Sequence, residues 1–229
     1  VNHANFAALV LTPSAHFRRK LLHYGVKKTI KVVPPGFSDT RFLPNLPVKK
    51  VGPEGLKIIW HSRVSAEKRI VPFFKALCQV KGKYHLDVYG NGGDYWRAKR
   101  FASRHQLNVT FHGNVQFDQL VKAINQAHLD VLVSFNADTF GMTLIEAEAY
   151  GVPVFFCDPD MKEIVPAGGF MMSQDQSPVA MAAALQDLID HPEKITKMSE
   201  VMLKHRREVL ISQRIIPLEK IFQAAKKNS

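Results

Sequence analysis

The sequence predicts an α/β fold in which a mostly parallel sheet is covered by helices on both faces. Short apolar or β-branched runs alternate with longer amphipathic stretches along the 229 residues, which is the rhythm of repeated strand and helix units. The longer stretches carry apolar residues at three- and four-residue spacing, as helices packed on a sheet do. A hydrophobic content of 46% is enough to build a core around such a sheet.

Each predicted strand is a short apolar run, and each predicted helix is an amphipathic run; the last two helices follow another helix, and the others follow a strand. The predicted strands are 8–11, 30–33, 57–60, 85–89, 109–111, 129–134, 153–156 and 170–172. The predicted helices are 16–24, 71–80, 95–105, 117–127, 143–150, 177–190, 193–207 and 216–226. The helix 143–150 is sharply bounded, because Asp138 and Thr139 are good N-caps, Gly151 suits a C-cap and Pro153 cannot continue a helix.

The segment 34–53 contains five prolines and two glycines, a composition typical of a linker or a wrapped loop. We therefore divide the chain into residues 1–36, a linker at 37–55, a domain at 56–207 and a final helical segment at 208–229. Residues 1–36 offer too few strands to close a core alone. The domain at 56–207 has the size of those that bind a nucleotide at the carboxyl ends of their strands. Since residue 1 is Val rather than Met, we expect the chain to be part of a longer protein.

The net charge of +11 favours an anionic substrate or an anionic membrane surface as partner. We expect no nucleic-acid partner, because the basic surface clusters, Lys49-Lys50 among them, are short and lack interleaved exposed aromatic residues. No apolar run approaches the ~18 residues of a membrane span, and no secretory signal opens the chain. We expect a soluble, cytoplasmic protein, at most peripheral to the inner face of a membrane, with Cys78 and Cys157 as reduced core thiols.

Two cations follow the predicted strand 57–60. Arg63 and Lys68 lie at the mouth of that strand, beside the positive end of the next helix, where a diphosphate would be held. The alternative is a solvated loop. No Walker sequence and no G-x-G-x-x-G follows this strand, which excludes a standard ATPase or dinucleotide loop. An imidazole packed at the turn is the more usual interpretation of His61, although it could contact a ligand.

Two further segments carry candidate binding residues. Gly90 and Gly92 follow the strand 85–89, where glycines either let the backbone approach a ligand or form a tight turn. In the helix 143–150, the amide groups of residues 141–143 would point at an anion above the sheet, and Asp138 and Glu146 could accept hydrogen bonds from hydroxyl groups of one ligand. The alternative is an N-cap followed by a solvated glutamate.

Other patterns are weaker. Asp158 and Asp160 match a metal-binding D-x-D, but aspartates around a proline are common in turns. The ten histidines show no zinc-ligand spacing, and no nucleophile motif is present. We therefore expect no metal site.

Together and in order, these segments resemble the donor-binding half of a retaining GT-B glycosyltransferase of the family-four group (glycosyl transferases group 1), over nearly the whole chain. Residues 62–68 resemble the family's G-R-L-x-x-E-K, residues 90–92 its G-x-G turn and residues 111–115 its F-x-G-x-V loop. Residues 138–154 resemble its E-x-F-G-x-x-x-x-E-A-x-A-x-G-x-P-V, the most specific match. Residues 10–14 and 33–42 are similar to the crossing between the family's two domains.

The resemblance implies a Rossmann-like domain that binds a nucleotide-diphospho-sugar, a UDP-sugar in preference to a GDP-sugar, with no metal or other cofactor. It assigns catalytic roles to Arg63, Lys68 and Asp138. It assigns donor binding to Ser62, Gly90, Gly92, Asn114, Val115, Phe140, Gly141, Met142, Thr143, Leu144 and Glu146. In this family Arg and Lys neutralise the diphosphate, the first acid of the long motif holds the sugar and the second holds the ribose.

The sequence departs from the family at several places. Asp138 stands where a glutamate is usual, and Ser62 and Arg69 stand where glycines are usual. The resemblance makes residues 1–36 the tail of a missing N-terminal acceptor domain, towards which residues 208–229 pack back, so that this chain alone would turn over little. Transfer to a glycan, lipid or protein acceptor would need that domain. The alternatives are a non-catalytic binding or scaffold module and a GT-B epimerase or phosphorylase.

Overall fold

A computed structural model describes residues 1–227, with the backbone alone at positions 216, 217, 220, 222 and 224–227. The first part of the chain contains α1 (Asn2–Phe6), β1 (Val10–Thr12), α2 (Ala15–His23) and β2 (Ile30–Val32). The larger part contains β3 (Leu56–His61), α3 (Ile70–Leu77), β4 (Tyr84–Tyr89), α4 (Tyr95–Arg104), β5 (Val109–Gly113), α5 (Phe117–Gln126), β6 (Leu129–Leu132), α6 (Met142–Ala149), β7 (Val154–Phe156), β8 (Phe170–Met172), α7 (Pro178–Asp190), α8 (Glu193–His205) and α9 (Ile211–Lys227).

The strands β3 to β8 form one parallel sheet in the order β5-β4-β3-β6-β7-β8. This is the doubly wound order, in which the chain moves outwards from β3 in one direction and then from β6 in the other. Between β3 and β6 the loops after the strands diverge, and a crevice opens at the carboxyl ends. The predicted Rossmann-like sheet is therefore present, and its strand order places the crevice at the carboxyl ends of β3 and β6.

The sheet is covered on both faces, because alternate residues of each strand point to opposite sides. In β3, Ile58 and Trp60 enter one apolar core, beneath helices α3, α4 and α7. Ile59 enters the other, beneath α5, α6 and α8. The core residues of β3 are about 1% exposed, so the strand that leads to the crevice is fixed on both faces.

The first part of the chain forms its own two-stranded parallel sheet, β1 and β2. The linker and the start of α9 run side by side: the Phe37 amide donates to Val209 O at 2.7 Å, and the Ile211 amide donates to Phe37 O at 2.9 Å. An apolar groove of about 490 Å³ lies where residues 11–13 and 33–35 face Ile211, Ile215 and Leu218 of α9. Thus α9 packs beside the first part of the chain.

Most predicted elements are present with ends within three residues, but four expectations were wrong. Helix α1 was not predicted, and α9 begins at Ile211 rather than at 216. Ser212, in the first turn of α9, donates through its amide and its hydroxyl group to the distant carboxylate of Asp39. Because this cap comes from a residue far away in the sequence, no pattern near residue 211 could have indicated the start of the helix.

The other two errors concern burial. Cys78 is exposed rather than buried in the core. Lys49, taken as part of a surface cluster, is buried, with its Nζ 2.7 Å from Asn125 O. Among the helices within residues 1–227, none combines the length and apolar character needed to cross a bilayer.

Candidate functional site

The loop after β3 presents its two cations differently. The Arg63 side chain is 76% exposed, and its guanidinium lies 3.3 Å from the carboxylate of Glu67. Lys68 ends a short 3-10 turn and is only 12% exposed. Arg69, where the family usually has glycine, follows with φ 63° and ψ 32°, a left-handed conformation that glycine adopts without strain. The Arg69 guanidinium donates to Gln176 O at 2.8 Å, which anchors this turn to the loop before α7.

Lys68 and Asp138, predicted to act on different parts of one ligand, lie in direct contact. Lys68 Nζ is 2.5 Å from Asp138 Oδ1, and the Ser134 hydroxyl donates to the other oxygen of the same carboxylate. Asp138 is 17% exposed, so this pair is largely shielded from solvent. The structure therefore brings together the first and third candidate segments at the carboxyl ends of β3 and β6.

Gly90 and Gly92 support the loop that carries Arg63. Gly90 has φ 115°, and a β-carbon there would run into Ser62 O, while one at Gly92 would run into Val64 O. The Val64 amide donates to Asn91 O at 3.0 Å, which binds the two loops together. The geometry thus shows the tight turn, one of the two interpretations of these glycines, packed against the backbone of residues 62–64.

The helix α6 begins at Met142, with Gly141 as N-cap at φ 73° and no side-chain cap. The expectation that Asp138 or Thr139 would cap it was wrong, because Asp138 is turned towards Lys68 and Ser134. The uncapped first-turn amide groups keep the partial positive charge of a helix N-terminus. The side chains of Phe140 and Leu144 are buried in the core, whereas Met142 is 45% exposed. Thr143 Oγ1 is buried without a hydrogen-bond partner among the described residues.

Glu146 faces the site from the second turn of α6 and is 27% exposed. Its Oε2 lies 3.4 Å from Nδ1 of His61, the last residue of β3, and Nε2 of the same imidazole lies 2.9 Å from Asp130 Oδ2. Burial opposes a charged imidazole, yet the negative charges of Asp130 and Glu146, together with the hydrogen bond to Asp130, raise the pKa of His61 to about 10. At neutral pH the imidazole is a cation between two carboxylates. Asp130 was not a candidate, since within the apolar run 129–133 nothing distinguishes its role.

A cavity of about 240 Å³ lies beside this group, lined by Asn114, Val115 and Leu120 on one side and by His61, Ser62 and Gly90 on the other. Tyr89 also lines it, and the Tyr89 ring stacks on His112 with centroids 4.3 Å apart. The loop 111–115, which resembles the family's F-x-G-x-V loop, therefore lies next to the loop after β3 and next to His61, the residue that Glu146 of α6 faces.

The first part of the chain reaches the same loop. The Ser14 hydroxyl donates to Thr139 O at 2.6 Å, and His16 Nε2 lies 3.2 Å from Asp138 O. The His16 amide also donates to Glu163 Oε1 at 2.8 Å. These contacts join residues more than 120 positions apart, so no sequence pattern could have indicated them.

The D-x-D pair is used by the protein itself. Asp158 accepts hydrogen bonds from the amide groups of Asn136 and Asp160, and Asp160 pairs with Arg19 at 3.0 Å. Within residues 1–227, no three His, Cys, Asp or Glu side chains converge in a way that could hold a metal ion.

Comparison with known proteins identifies the sequence pattern. The family model described as glycosyl transferases group 1 matches residues 55–191. The chain is 25% identical over 155 residues to the lipopolysaccharide 1,6-galactosyltransferase of Escherichia coli K12, covering 65% of this chain and 42% of that protein. It is 30% identical over 153 residues to the mannosylfructose-phosphate synthase of Agrobacterium fabrum, covering 57% of this chain and 33% of that protein.

Solved structures agree on the fold. Anabaena HepE, in complex with UDP and glucose, superposes with a TM-score of 0.81 at 19% identity, covering 97% of this chain and 65% of that one. The sucrose-phosphate synthase of Thermosynechococcus elongatus superposes with a TM-score of 0.82 at 18% identity, covering 99% of this chain and 60% of that one. The predicted fold, the Rossmann-like half of a GT-B glycosyltransferase, is confirmed. The chain spans about half of the curated relatives' length or less.

Proposed function

Because the chain belongs to the glycosyl transferases group 1 family, we propose that it binds a nucleotide-diphospho-sugar as donor for retaining glycosyl transfer. The observation that carries this proposal is the convergence of Lys68, the uncapped start of α6 and Glu146 at the crevice between β3 and β6. Ligands of doubly wound sheets bind at such a crevice.

The proposed roles follow the charges of the site. Arg63, Lys68 and the first amide groups of α6 stabilise the negative charge that develops on the diphosphate as the bond to the sugar breaks. Asp138 accepts a hydrogen bond from a sugar hydroxyl, and Glu146 accepts one from the ribose. The base lies in the cavity beside Asn114 and Val115. Since two side-chain cations and a helix N-terminus face the diphosphate, the proposal includes no metal ion and no further cofactor.

The nucleotide is proposed to be UDP rather than GDP, in keeping with the UDP bound by HepE. The acceptor, a glycan, lipid or protein, would be bound by a first domain in a longer protein, of which residues 1–36 would be the tail. Since acceptor groups would lie there, we expect this chain alone to bind donor weakly and to transfer little.

Calorimetric titration of the chain with UDP, GDP and ADP tests the proposal. We expect UDP to bind most tightly and UDP-sugar to bind at least as well as UDP. A folded chain that binds none of the three nucleotides would overturn the donor-site assignment. Transfer itself is tested in the full-length protein, where Glu146→Ala should abolish most turnover.

A second candidate is a non-catalytic binding or scaffold module. It is favoured by the shorter Asp138 and by the engagement of its carboxylate with Lys68 and Ser134. A scaffold would keep its biological role in the full-length Arg63→Ala variant, whereas an enzyme would not. An epimerase or phosphorylase is the third candidate, which product analysis with a labelled donor distinguishes.

We also propose a peripheral contact with an anionic membrane, for which α4 supplies a surface. Its outward face carries Trp96, which is 71% exposed, together with Arg97, Lys99, Arg100 and Arg104, all exposed. Lys99 Nζ lies 5.5 Å from the Trp96 ring centroid. An amphipathic indole among cations suits the headgroup region of an anionic bilayer.

A further inference from the structure

A buried charge pair lies directly behind the carboxylate proposed to hold the ribose. Asp130 on β6 is fully buried, and its Oδ1 accepts from the Val131 amide at 2.7 Å. Its Oδ2 is 2.9 Å from Nε2 of His61, whose side chain is 1% exposed. The strand register pairs Ile59 with Asp130, so His61, two residues further along β3, projects from the same face as Asp130. Helix α6 packs on that face and brings Glu146 to the other side of the imidazole.

The contact between His61 and Asp130 uses only one of the two ring nitrogens of His61. A buried carboxylate needs a partner, which the Nε2–H group of His61 supplies to Asp130. Nδ1 is then buried with no hydrogen bond to any described residue, and Glu146 Oε2, at 3.4 Å, is the carboxylate oxygen it faces. This distance is longer than a good hydrogen bond but within the range of an ion pair. Among the side chains that the structure describes, Glu146 makes no other ion pair.

We propose that His61, held by Asp130, is a positioning residue that orients the Glu146 carboxylate towards the ribose hydroxyls of a nucleoside diphosphate, an inference that rests on the function proposed above. Glu146 is 27% exposed and would otherwise sample several rotamers. With Oε2 directed at the imidazolium, Oε1 is left to accept from the ligand. The groups that titrate around His61 are Asp130 on β6, Glu146 on α6 and Tyr89, which lines the same cavity from β4.

The test compares UDP with its 2′,3′-dideoxy analogue, because only UDP carries ribose hydroxyls. Both are titrated calorimetrically into the whole chain as the unaltered protein, Glu146→Gln, His61→Gln and His128→Gln. His128 is a matched control: counted as whole residues, His128 and His61 are each 7% exposed, but His128 lies at the opposite end of β3, where its Nδ1 accepts from the Lys57 amide. The unaltered chain should bind UDP about 10- to 100-fold more tightly than the dideoxy analogue, because the ribose hydroxyls of UDP would donate hydrogen bonds to the charged Glu146 carboxylate.

We expect Glu146→Gln and His61→Gln each to reduce this preference to about 5-fold or less, while binding of the dideoxy analogue changes less than about 3-fold. His128→Gln should keep the preference. If His61→Gln keeps it while Glu146→Gln loses it, the inference is overturned and the proposed function stands. Equal weakening of both nucleotides by His61→Gln also overturns it, since that is a general structural effect. If the unaltered chain binds neither nucleotide, the proposed function itself fails.

A measurement on the unaltered chain covers the case in which His61→Gln does not fold. Nitrogen-15 spectra of the histidine rings at about pH 8 should show both nitrogens of His61 protonated, and the Nδ1 resonance should move in Glu146→Gln. A neutral His61 ring at this pH, or a resonance unaffected by Glu146→Gln, would refute the positioning role.

Discussion

Lys68 Nζ lies 2.5 Å from Asp138 Oδ1 across 70 positions of sequence. The cation proposed for the diphosphate and the carboxylate proposed for the sugar are thus partners of each other. A nucleotide-sugar would offer its diphosphate to Lys68 and its sugar to Asp138, so both residues would gain a partner and stay adjacent. A nucleoside diphosphate without a sugar would have to compete with Asp138 for Lys68.

This competition predicts that Asp138→Asn binds UDP more tightly than the unaltered chain, by about 3- to 10-fold, because removing one negative charge frees Lys68. The additional affinity of a UDP-sugar over UDP should shrink at the same time. Calorimetry with both ligands measures the two effects. Asp160→Asn, which removes a carboxylate paired with Arg19, is the control and should change neither. Weaker UDP binding in Asp138→Asn would contradict the assigned competition.

Arg63→Ala should weaken UDP binding about tenfold at low salt without lowering the melting temperature. The side chain is 76% exposed and pairs with Glu67, so it contributes little to folding. Arg97→Ala is a matched control, since Arg97 is 70% exposed and pairs with Asp94 at 3.7 Å. Equal losses of affinity in the two variants would show that the net positive charge of the protein attracts the nucleotide, rather than a direct contact with Arg63.

Gly90→Ala should lower the free energy of unfolding by about 2–4 kcal/mol, because φ is 115° and the new methyl group would meet the Ser62 carbonyl. Gly93→Ala is the control: open space surrounds it, and the expected change is within about 0.5 kcal/mol. Urea denaturation measures both. A tolerated Gly90→Ala would mean that the 62–64 loop can move away from this turn at little cost.

The buried carboxyl group of Glu148 should make the stability of the fold depend on pH. Burial raises its pKa to about 8, against the opposing charge of Arg214. The folded protein therefore keeps a proton that the unfolded chain releases near pH 4.5, and stability falls as the pH rises from about 4.5 to about 8. Glu148→Gln removes this loss, so at about pH 9 the variant should be more stable by roughly 1–4 kcal/mol. The difference should narrow towards pH 4.5; a constant difference would exclude this titration as its cause.

The surface on α4 predicts that the tryptophan emission of the chain shifts to the blue with phosphatidylserine-containing vesicles and not with phosphatidylcholine alone. Trp96 would report the contact, because the other tryptophan, Trp60, is 1% exposed. Salt should reverse the shift, and the double variant Lys99→Glu, Arg100→Glu should lack it. Binding that ignores lipid charge would argue against this surface.

The sheet and its helices were predictable from sequence because each depends on a short repeat of apolar residues. The positions of Lys68 and Glu146 at the crevice followed as well, since both lie within a few residues of a strand or helix end. What could not be predicted are relationships between segments. The pairing of Lys68 with Asp138 needs the loops after β3 and β6 to meet, and the tie between Ser212 and Asp39 needs α9 to return to the linker.

Buried polar residues were the other source of error. Lys49 and Asp130 look like members of a surface cluster and an apolar strand, respectively, and only their partners, Asn125 O and His61, explain them. A residue's neighbours in sequence do not reveal whether a charge has a buried partner. For the same reason the histidine at the end of β3 looked like an ordinary packed imidazole.

The paired hydrogen bonds between Phe37 and residues 209–211 make one joint out of two crossings of the chain. The segment of the chain that enters the six-stranded unit and the segment that leaves it are hydrogen-bonded to each other at Phe37. Residues 1–36 and α9 are therefore joined at Phe37, and Ser14 and His16 contact the loop that carries Asp138. The loop that places the carboxylate beside Lys68 is thus supported from outside the six-stranded unit.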